Sequence, residues 1–351
     1  MSSDLSSRIF SLADFDPAAR ELMPHAVYEY VASAAGDELT LRENEAAFDR
    51  IKIRPRVLRD VARPDASITL FGETLAHPIL LAPIAYQRMF QPEGEIAASR
   101  GAGEAGAIFI LSTAGTASVE ECVAASAAPV WFLHYWQSDR GFNGDLVARV
   151  NASGAKALCV TVDTPVLGDR RRQFRAGFGI PEEMATPHLY DRNAGLREVA
   201  SQQRAILTWP DVAWLRSLTT LPFVLKGILD PDDAARAIDV GADAIIVSNH
   251  GARNLDTLPA SIEALPAIAE RVGGRVPILI DGGIRRGTDV LKALALGATA
   301  VLIGRPYVYA LAVGGAEGVV HCVNLLRQEL ERAMALTGRA SIAEIDRTLI
   351  W

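Results

Sequence analysis

Eight short apolar runs, spaced between residues 79 and 306, constrain this chain more than any other feature. They cover residues 79–85, 108–113, 130–136, 157–163, 222–228, 244–249, 277–283 and 300–306. Val, Ile, Leu and Ala dominate them, as they do in strands buried on both faces of a parallel sheet. Amphipathic or Ala-rich segments lie between, at 93–104, 119–125, 144–152, 232–240, 260–271 and 289–296. Eight β-then-α units in series predict an α/β protein folded as a closed (β/α)8 TIM barrel. An open doubly wound sheet is the rival, but no Gly-x-Gly-x-x-Gly turn follows an early strand.

The pattern predicts one domain over residues 1–351, with the barrel at 76–325 and a C-terminal helical tail at 326–351. Residues 1–75 form an N-terminal helical extension, with helical patterns around 17–33 and 40–50, expected to close the barrel's bottom or rim. A polar connection at 164–208, rich in Arg, Gly and Pro, follows the fourth strand. Long loops in compact domains are usually functional or mobile, and this one leaves from the end of the barrel where chemistry is expected, so it reads as a lid or gate, with simple disorder as the rival.

A formal charge of −7 argues against a nucleic-acid partner, which needs a concentrated positive field. The run Arg170-Arg171-Arg172 is, on composition alone, a solvated loop. Cys122, Cys159 and Cys322 are too few and too scattered for a disulfide framework or a metal cluster. No basic-then-apolar leader opens the chain, and no apolar run approaches the roughly 20 residues that span a bilayer. The expectation is a cytoplasmic protein without a membrane partner.

In such a barrel the active site lies at the C-terminal strand ends. The residues there are Ala85-Tyr86-Gln87, Ser112-Thr113, Tyr135-Trp136, Thr161-Val162-Asp163, Lys226-Gly227, Asn249-His250-Gly251, Asp281-Gly282-Gly283 and Gly304-Arg305. His250 offers a base near neutral pH, and Arg253, three residues on, offers a fork for a carboxylate. Gly-rich turns after strands seven and eight, with Arg285 and Arg305 beside them, predict a phosphate site. Lys226 suits either a Schiff base, if desolvation lowers its pKa, or a fixed charge that stabilises a forming anion.

These residues resemble the FMN-dependent (S)-2-hydroxy acid oxidase and dehydrogenase family, which includes glycolate oxidase, lactate oxidase, flavocytochrome lactate dehydrogenase and the mandelate dehydrogenases and oxidases. The most specific matches are Ser248-Asn249-His250-Gly251-Ala252-Arg253 and the stretch from Asp281-Gly282-Gly283-Ile284-Arg285 to Val290. Val27-Tyr28-Glu29-Tyr30, Pro92-Glu93-Gly94-Glu95, Thr161-Val162-Asp163-Thr164-Pro165 and Val224-Leu225-Lys226-Gly227 match as well.

The resemblance implies FMN as cofactor and a small 2-hydroxy acid as substrate. It makes His250 the catalytic base, with Asp163 behind it. Arg253 and Arg170 clamp the substrate carboxylate with help from Tyr30, and Tyr135 bonds the substrate near its hydroxyl or carboxylate. Lys226 sits by the N1–C2=O edge of the flavin. Pro83, Ile84, Ala85, Ser112, Thr161 and Ser248 belong to the flavin site, and Asp281 meets the ribityl chain. Gly282, Gly283, Arg285, Gly304 and Arg305 belong to the phosphate end. A homotetramer is implied too. Two proton routes stay open, since His250 takes either the Cα proton or the hydroxyl proton while hydride leaves Cα.

The sequence also departs from the family pattern. Leu133 stands where a Gln usually contacts the flavin ring, and alternation turns its neighbour His134 to the opposite face. Ala114 replaces a bulky Trp of glycolate oxidase-like members, which predicts a roomier pocket suited to aromatic or longer-chain acids such as mandelate. Tyr86-Gln87-Arg88 is similar to mandelate- and 4-hydroxymandelate-oxidase-like members. Ala85 is the small residue of oxidase-type members, so dioxygen reduced to hydrogen peroxide is the expected half-reaction. The alternatives are a dehydrogenase with another acceptor, a monooxygenase-like outcome, a silent flavin-binding protein, and a non-redox barrel enzyme acting on a phosphorylated substrate.

Overall fold

The computed structural model describes residues 5–189 and 206–351. Two short strands, β1 (Ile68–Leu70) and β2 (Glu73–Leu75), pair as an antiparallel hairpin. Eight more run β3 (Ile79–Leu81), β4 (Phe109–Ser112), β5 (Val130–His134), β6 (Leu158–Thr161), β7 (Phe223–Ile228), β8 (Ala244–Val247), β9 (Ile278–Asp281) and β10 (Ala300–Ile303). They close a parallel barrel in sequence order, with β10 returning to β3. The expected (β/α)8 barrel is the observed fold.

Alternation along each strand makes two cores. Leu80, Ile110, Leu133, Cys159, Ile246, Leu279 and Leu302 point inward and fill the barrel. Their neighbours, including Leu81, Phe109, Phe132, Val160, Phe223 and Ile303, face the helices. The hairpin completes the inner core: Ile68, Leu70 and Leu75 join it, and the Phe71 ring meets Trp131 at 5.5 Å near the N-terminal end of β5. This plug closes the bottom of the barrel. The sequence reading assigned the extension to helices; two strands of three residues are too short to show alternation.

The N-terminal helices sit at the other end. Phe15–Leu22 and His25–Ala32 replace the single pattern expected at 17–33, because Pro24 separates them. Leu39–Arg50 then crosses the rim so closely that a Cβ on Gly283 would fall 1.8 Å from the Asn44 carbonyl oxygen. Helix Arg305–Leu336 runs through the boundary expected at 325 and is broken at Gly314 and Gly315. It is long and apolar enough to cross a membrane by length and composition, yet it packs on Glu95–Ala105 and Phe15–Leu22 as a core helix.

The connection after β6 folds back onto the rim. Its short helix Arg171–Arg175 brings Arg172 to Glu29 and Glu38, and the Phe178 ring stacks on Tyr30 at 4.3 Å. Residues 190–205 of the predicted lid lie outside the described residues. The predicted loop ends before helix Trp209–Ser217, whose start is marked by Thr208, Pro210 and Asp211.

Candidate active site

Each of the eight barrel strands, or the segment that follows it, delivers residues to one cavity at the C-terminal end of the barrel, and helix His25–Ala32 adds Tyr30 and Val31. Several predicted runs are longer than the strands because their last residues leave the ladder and turn toward this cavity. Pro83 to Ala85, Tyr135, Gly282, Gly283 and Gly304 are such residues.

His250 sits on a turn of three successive left-handed residues, His250, Gly251 and Ala252, with φ of 58°, 60° and 65°. Two of them carry side chains, so the turn stores strain that its surroundings must hold. Asn249 does so by accepting from the Ala252 N–H at 3.2 Å while its side chain pairs with Asn44. The imidazole Nδ1 lies 2.9 Å from the Asp163 carboxylate, and Nε2 lies 3.1 Å from the Tyr135 hydroxyl. An ionised carboxylate only accepts, so Nδ1 carries the proton, Nε2 keeps its lone pair and Tyr135 donates to it.

Electrostatics keep this arrangement. Burial depresses His250 below its ordinary value against the opposing pull of Asp163, so the base is neutral at neutral pH. Burial alone would raise the Asp163 carboxyl, but His250 and Lys226 outweigh it and hold the group below the usual range. Burial pushes the Tyr135 phenol up to about 12, which keeps it a donor.

Lys226 donates to Ser248 Oγ at 2.9 Å and pairs with Asp281 at 3.0 Å. Burial works against its charge, but Asp281 and Asp163 prevail and raise it above the ordinary lysine value. A Schiff-base role needs the reverse shift, so the fixed-charge reading is the one the site supports.

Arg170, Arg253 and Arg305 form no ion pair among the described residues. Arg253 donates to the carbonyls of Tyr30 and Ser33 at 2.7 and 2.9 Å, and its guanidinium lies 5.0 Å over the Tyr30 ring. Arg170 donates to the Arg253 carbonyl at 3.1 Å. Burial and the Arg170 and Arg305 charges hold Arg253 well below its ordinary value. Such a cluster favours an entering anion.

Every predicted site residue lines the cavity except Asp163, Thr161 and Ser248. Asp163 stands behind His250, as expected. Ser248 is a correction: its hydroxyl is fully buried and occupied by Lys226, Asp281 and the His250 N–H, so it ties the site together from outside the cavity. Arg305 lines the cavity, with its Nε and one Nη on the carbonyls of Val31, Ser33 and Gly251 and its other Nη outside these bonds. Leu133 faces the cavity, while His134 is buried on the other side of β5 and pushed down to about 4 by burial.

The sequence reading missed Thr164, Leu167 and Leu189, cavity residues on the folded-back connection, and Asn254, which donates to the Asp163 carbonyl and Thr164. Thr164 lay within a quoted motif. Leu167 and Leu189 left no signal beyond the loop's length.

The profile of the FMN-dependent dehydrogenase family matches residues 19–351. The chain belongs to this family. An L-lactate oxidase of Nostoc sp. is 46% identical, with 97% of each chain covered. A 2-hydroxyacid oxidase of Dictyostelium discoideum is 45% identical, covering 97% of this chain and 90% of its own. A mandelate oxidase structure with 3,3-difluoro-2-hydroxy-3-phenylpropionic acid superposes with a TM-score of 0.90 at 42% identity, over 96% of this chain and 98% of that one. The FMN-dependent dehydrogenase described here is thus an enzyme of the 2-hydroxy acid oxidase group.

FMN is the cofactor of this family, and the cavity fits it. The N–H groups of Gly283 and Gly304 bond to none of the described residues, and Arg305 beside them has no carboxylate partner. Pro83, Ile84 and Ala85 supply an apolar wall for a planar ring.

Proposed function

We propose that the enzyme oxidises an (S)-2-hydroxy acid with an aromatic or longer side chain to the 2-oxo acid, and that dioxygen becomes hydrogen peroxide. FMN, when bound, takes two electrons from the substrate Cα and passes them to the acceptor. Ser112, Thr161 and the wall Pro83 to Ala85 would hold its ring, with Lys226 as the cation for charge gathering there. Asp281 would meet the ribityl chain, and Gly282, Gly283, Arg285, Gly304 and Arg305 the phosphate.

The observation that carries this reading is the neutral imidazole of His250 facing a cavity with uncompensated arginines. Arg170 and Arg253 take the substrate carboxylate, aided by the Tyr30 phenol. Tyr135 gives up its bond to Nε2 and turns to the substrate. His250 Nε2 then receives the proton from Cα or from the hydroxyl, and Asp163 stabilises the imidazolium. The connection after β6 excludes water through Leu167, Leu189 and the Phe178–Tyr30 stack.

Side-chain room supports an aromatic substrate. Ala114, Leu133, Leu167 and Leu189 present small or apolar groups to the cavity. Similar mandelate oxidases hold (S)-2-phenylpropionate or benzoyl-formic acid. Anaerobic titration with lactate, glycolate, 2-hydroxyoctanoate, mandelate and 4-hydroxymandelate tests the proposal. Bleaching by mandelate and recolouring in air are expected. Bleaching without recolouring would sink the oxidase assignment, and bleaching by glycolate alone would sink the aromatic one. A cytoplasmic homotetramer accompanies this reading and is checked by sedimentation velocity and cell fractionation.

A further inference from the structure

Glu95 is wholly buried, and the chemistry above gives it nothing to do. It opens helix Glu95–Ala105 and lies outside the cavity lining. One carboxylate oxygen accepts from the backbone N–H groups of Gln87 at 3.0 Å and Thr116 at 2.9 Å. The other accepts from the Thr116 hydroxyl. A single side chain therefore ties the loop after β3 to the loop after β4.

Both loops face the cavity. Tyr86 and Ala114 line it and are joined by a bond of 3.1 Å from the Tyr86 N–H to the Ala114 carbonyl. Tyr86 is left-handed, with φ of 59°, a conformation that a bulky residue keeps only where its neighbours impose it. The next N–H in the chain is the one Glu95 accepts. Gln87 extends the clasp, since its amide donates to the Ile84 carbonyl at 3.1 Å and to the Tyr307 hydroxyl at 3.0 Å. Tyr307 in turn donates to the Ala82 carbonyl at 2.8 Å. The Tyr86 turn is thus gripped from behind on both sides, at the Ile84 carbonyl and the Gln87 N–H, which leaves the faces of Tyr86 and Ala114 to the ligand.

We infer that Glu95 is a positioning residue for the substrate pocket: through Gln87 and Thr116 it fixes Tyr86 and Ala114, the part of the wall beyond the flavin stretch 83–85 that meets the substrate's side chain. The inference rests on the substrate reading above. Its signature is selectivity, because a ligand reaching that wall feels Glu95 and a small anion beside the flavin does not. Geometry rather than charge is what Glu95 supplies. A glutamine keeps one oxygen for both N–H groups, and its amide donates to the Thr116 hydroxyl, which reverses its role from donor to acceptor, whereas an aspartate is one methylene too short to bridge both loops.

The test uses the FMN-loaded protein and equilibrium titrations read from flavin absorbance. The probes are benzoylformate, which fills the side-chain region, and sulfite, a small anion that adds to oxidised flavins. Glu95→Asp should weaken benzoylformate at least about tenfold relative to sulfite, the scale of a buried N–H losing its acceptor. Glu95→Gln should restore native binding of both. Equal weakening of the two probes, no weakening, or a Gln variant as weak as Asp would overturn the inference. If Glu95→Asp fails to hold FMN, Tyr307→Phe frees the Gln87 amide behind the same Tyr86 turn and must show the same selective loss, or the inference falls. A native protein that binds sulfite but not benzoylformate would overturn the aromatic reading and this inference together. Native binding of both with unchanged variants overturns the inference alone.

Discussion

Replacing Asp163 by Asn separates two roles that one contact performs. The Asp163 carboxylate lies 2.9 Å from His250 Nδ1, and both side chains are largely shielded from solvent. In the resting enzyme the imidazole is neutral, so the carboxylate mainly orients it. When Nε2 gains the substrate's proton, the pair becomes an ion pair. For charge centres about 4 Å apart at an effective dielectric of ~20, the attraction is about 4 kcal/mol. At 1.36 kcal/mol per tenfold, Asp163→Asn should slow anaerobic flavin reduction by about a thousandfold. The pH profile should move the other way from intuition. Burial lowers His250 and Asp163 opposes that lowering, so removing the carboxylate lowers the imidazole further. Activity needs the neutral base and is lost as pH falls through its pKa, so the acid limb of kcat/KM should lie below its native position. Stopped-flow reduction by mandelate from about pH 5 to pH 9 reads both effects. A rate loss under about tenfold, or an acid limb moved upward, would refute the assignment of base and partner.

Three other substitutions probe separate parts of the site. Gly283→Ala places a Cβ 1.8 Å from the Asn44 carbonyl oxygen at a φ of 87°, so calorimetry should show a lower Tm and ultrafiltration a loss of FMN. Ala114→Trp fills the side-chain region, and spectral titration should show benzoylformate weakened at least about tenfold with pyruvate little changed. Lys226→Met leaves Asp281 buried without its cation, and denaturant melts should record a loss of about 3–5 kcal/mol. An unchanged melt would refute the claim that this buried pair supports the fold.

The barrel was legible because strands such as Ala244–Val247 are short, uninterrupted and followed by helices of ordinary length. Polar residues at the strand ends located the cavity for the same reason: the register of a barrel puts every such end on one rim. What escaped were features fixed by contacts distant in sequence. The hairpin around Phe71 has meaning only against Trp131. Ser248 alternates like a cavity residue, yet Lys226 and Asp281 enclose it. Arg305 has the charge expected of a phosphate ligand, and nothing local announces that Val31, Ser33 and Gly251 occupy most of its donors. Leu189 reaches the cavity only through the fold of its connection.

The carbonyls of residues 30–33, which hold Arg253 and Arg305, have a consequence for how the enzyme is made. Their partners lie 220 to 274 residues further along the chain. At about 5–20 residues per second, these carbonyls leave the ribosome on the order of 10 to 50 s before the arginines are synthesised. Until then both the phosphate end and the carboxylate end lack their rim. Flavin capture is therefore a late event in the protein's biogenesis, and ribosome-bound chains ending before residue 305 should retain no FMN. A nascent chain is spared redox chemistry until its barrel can close around it.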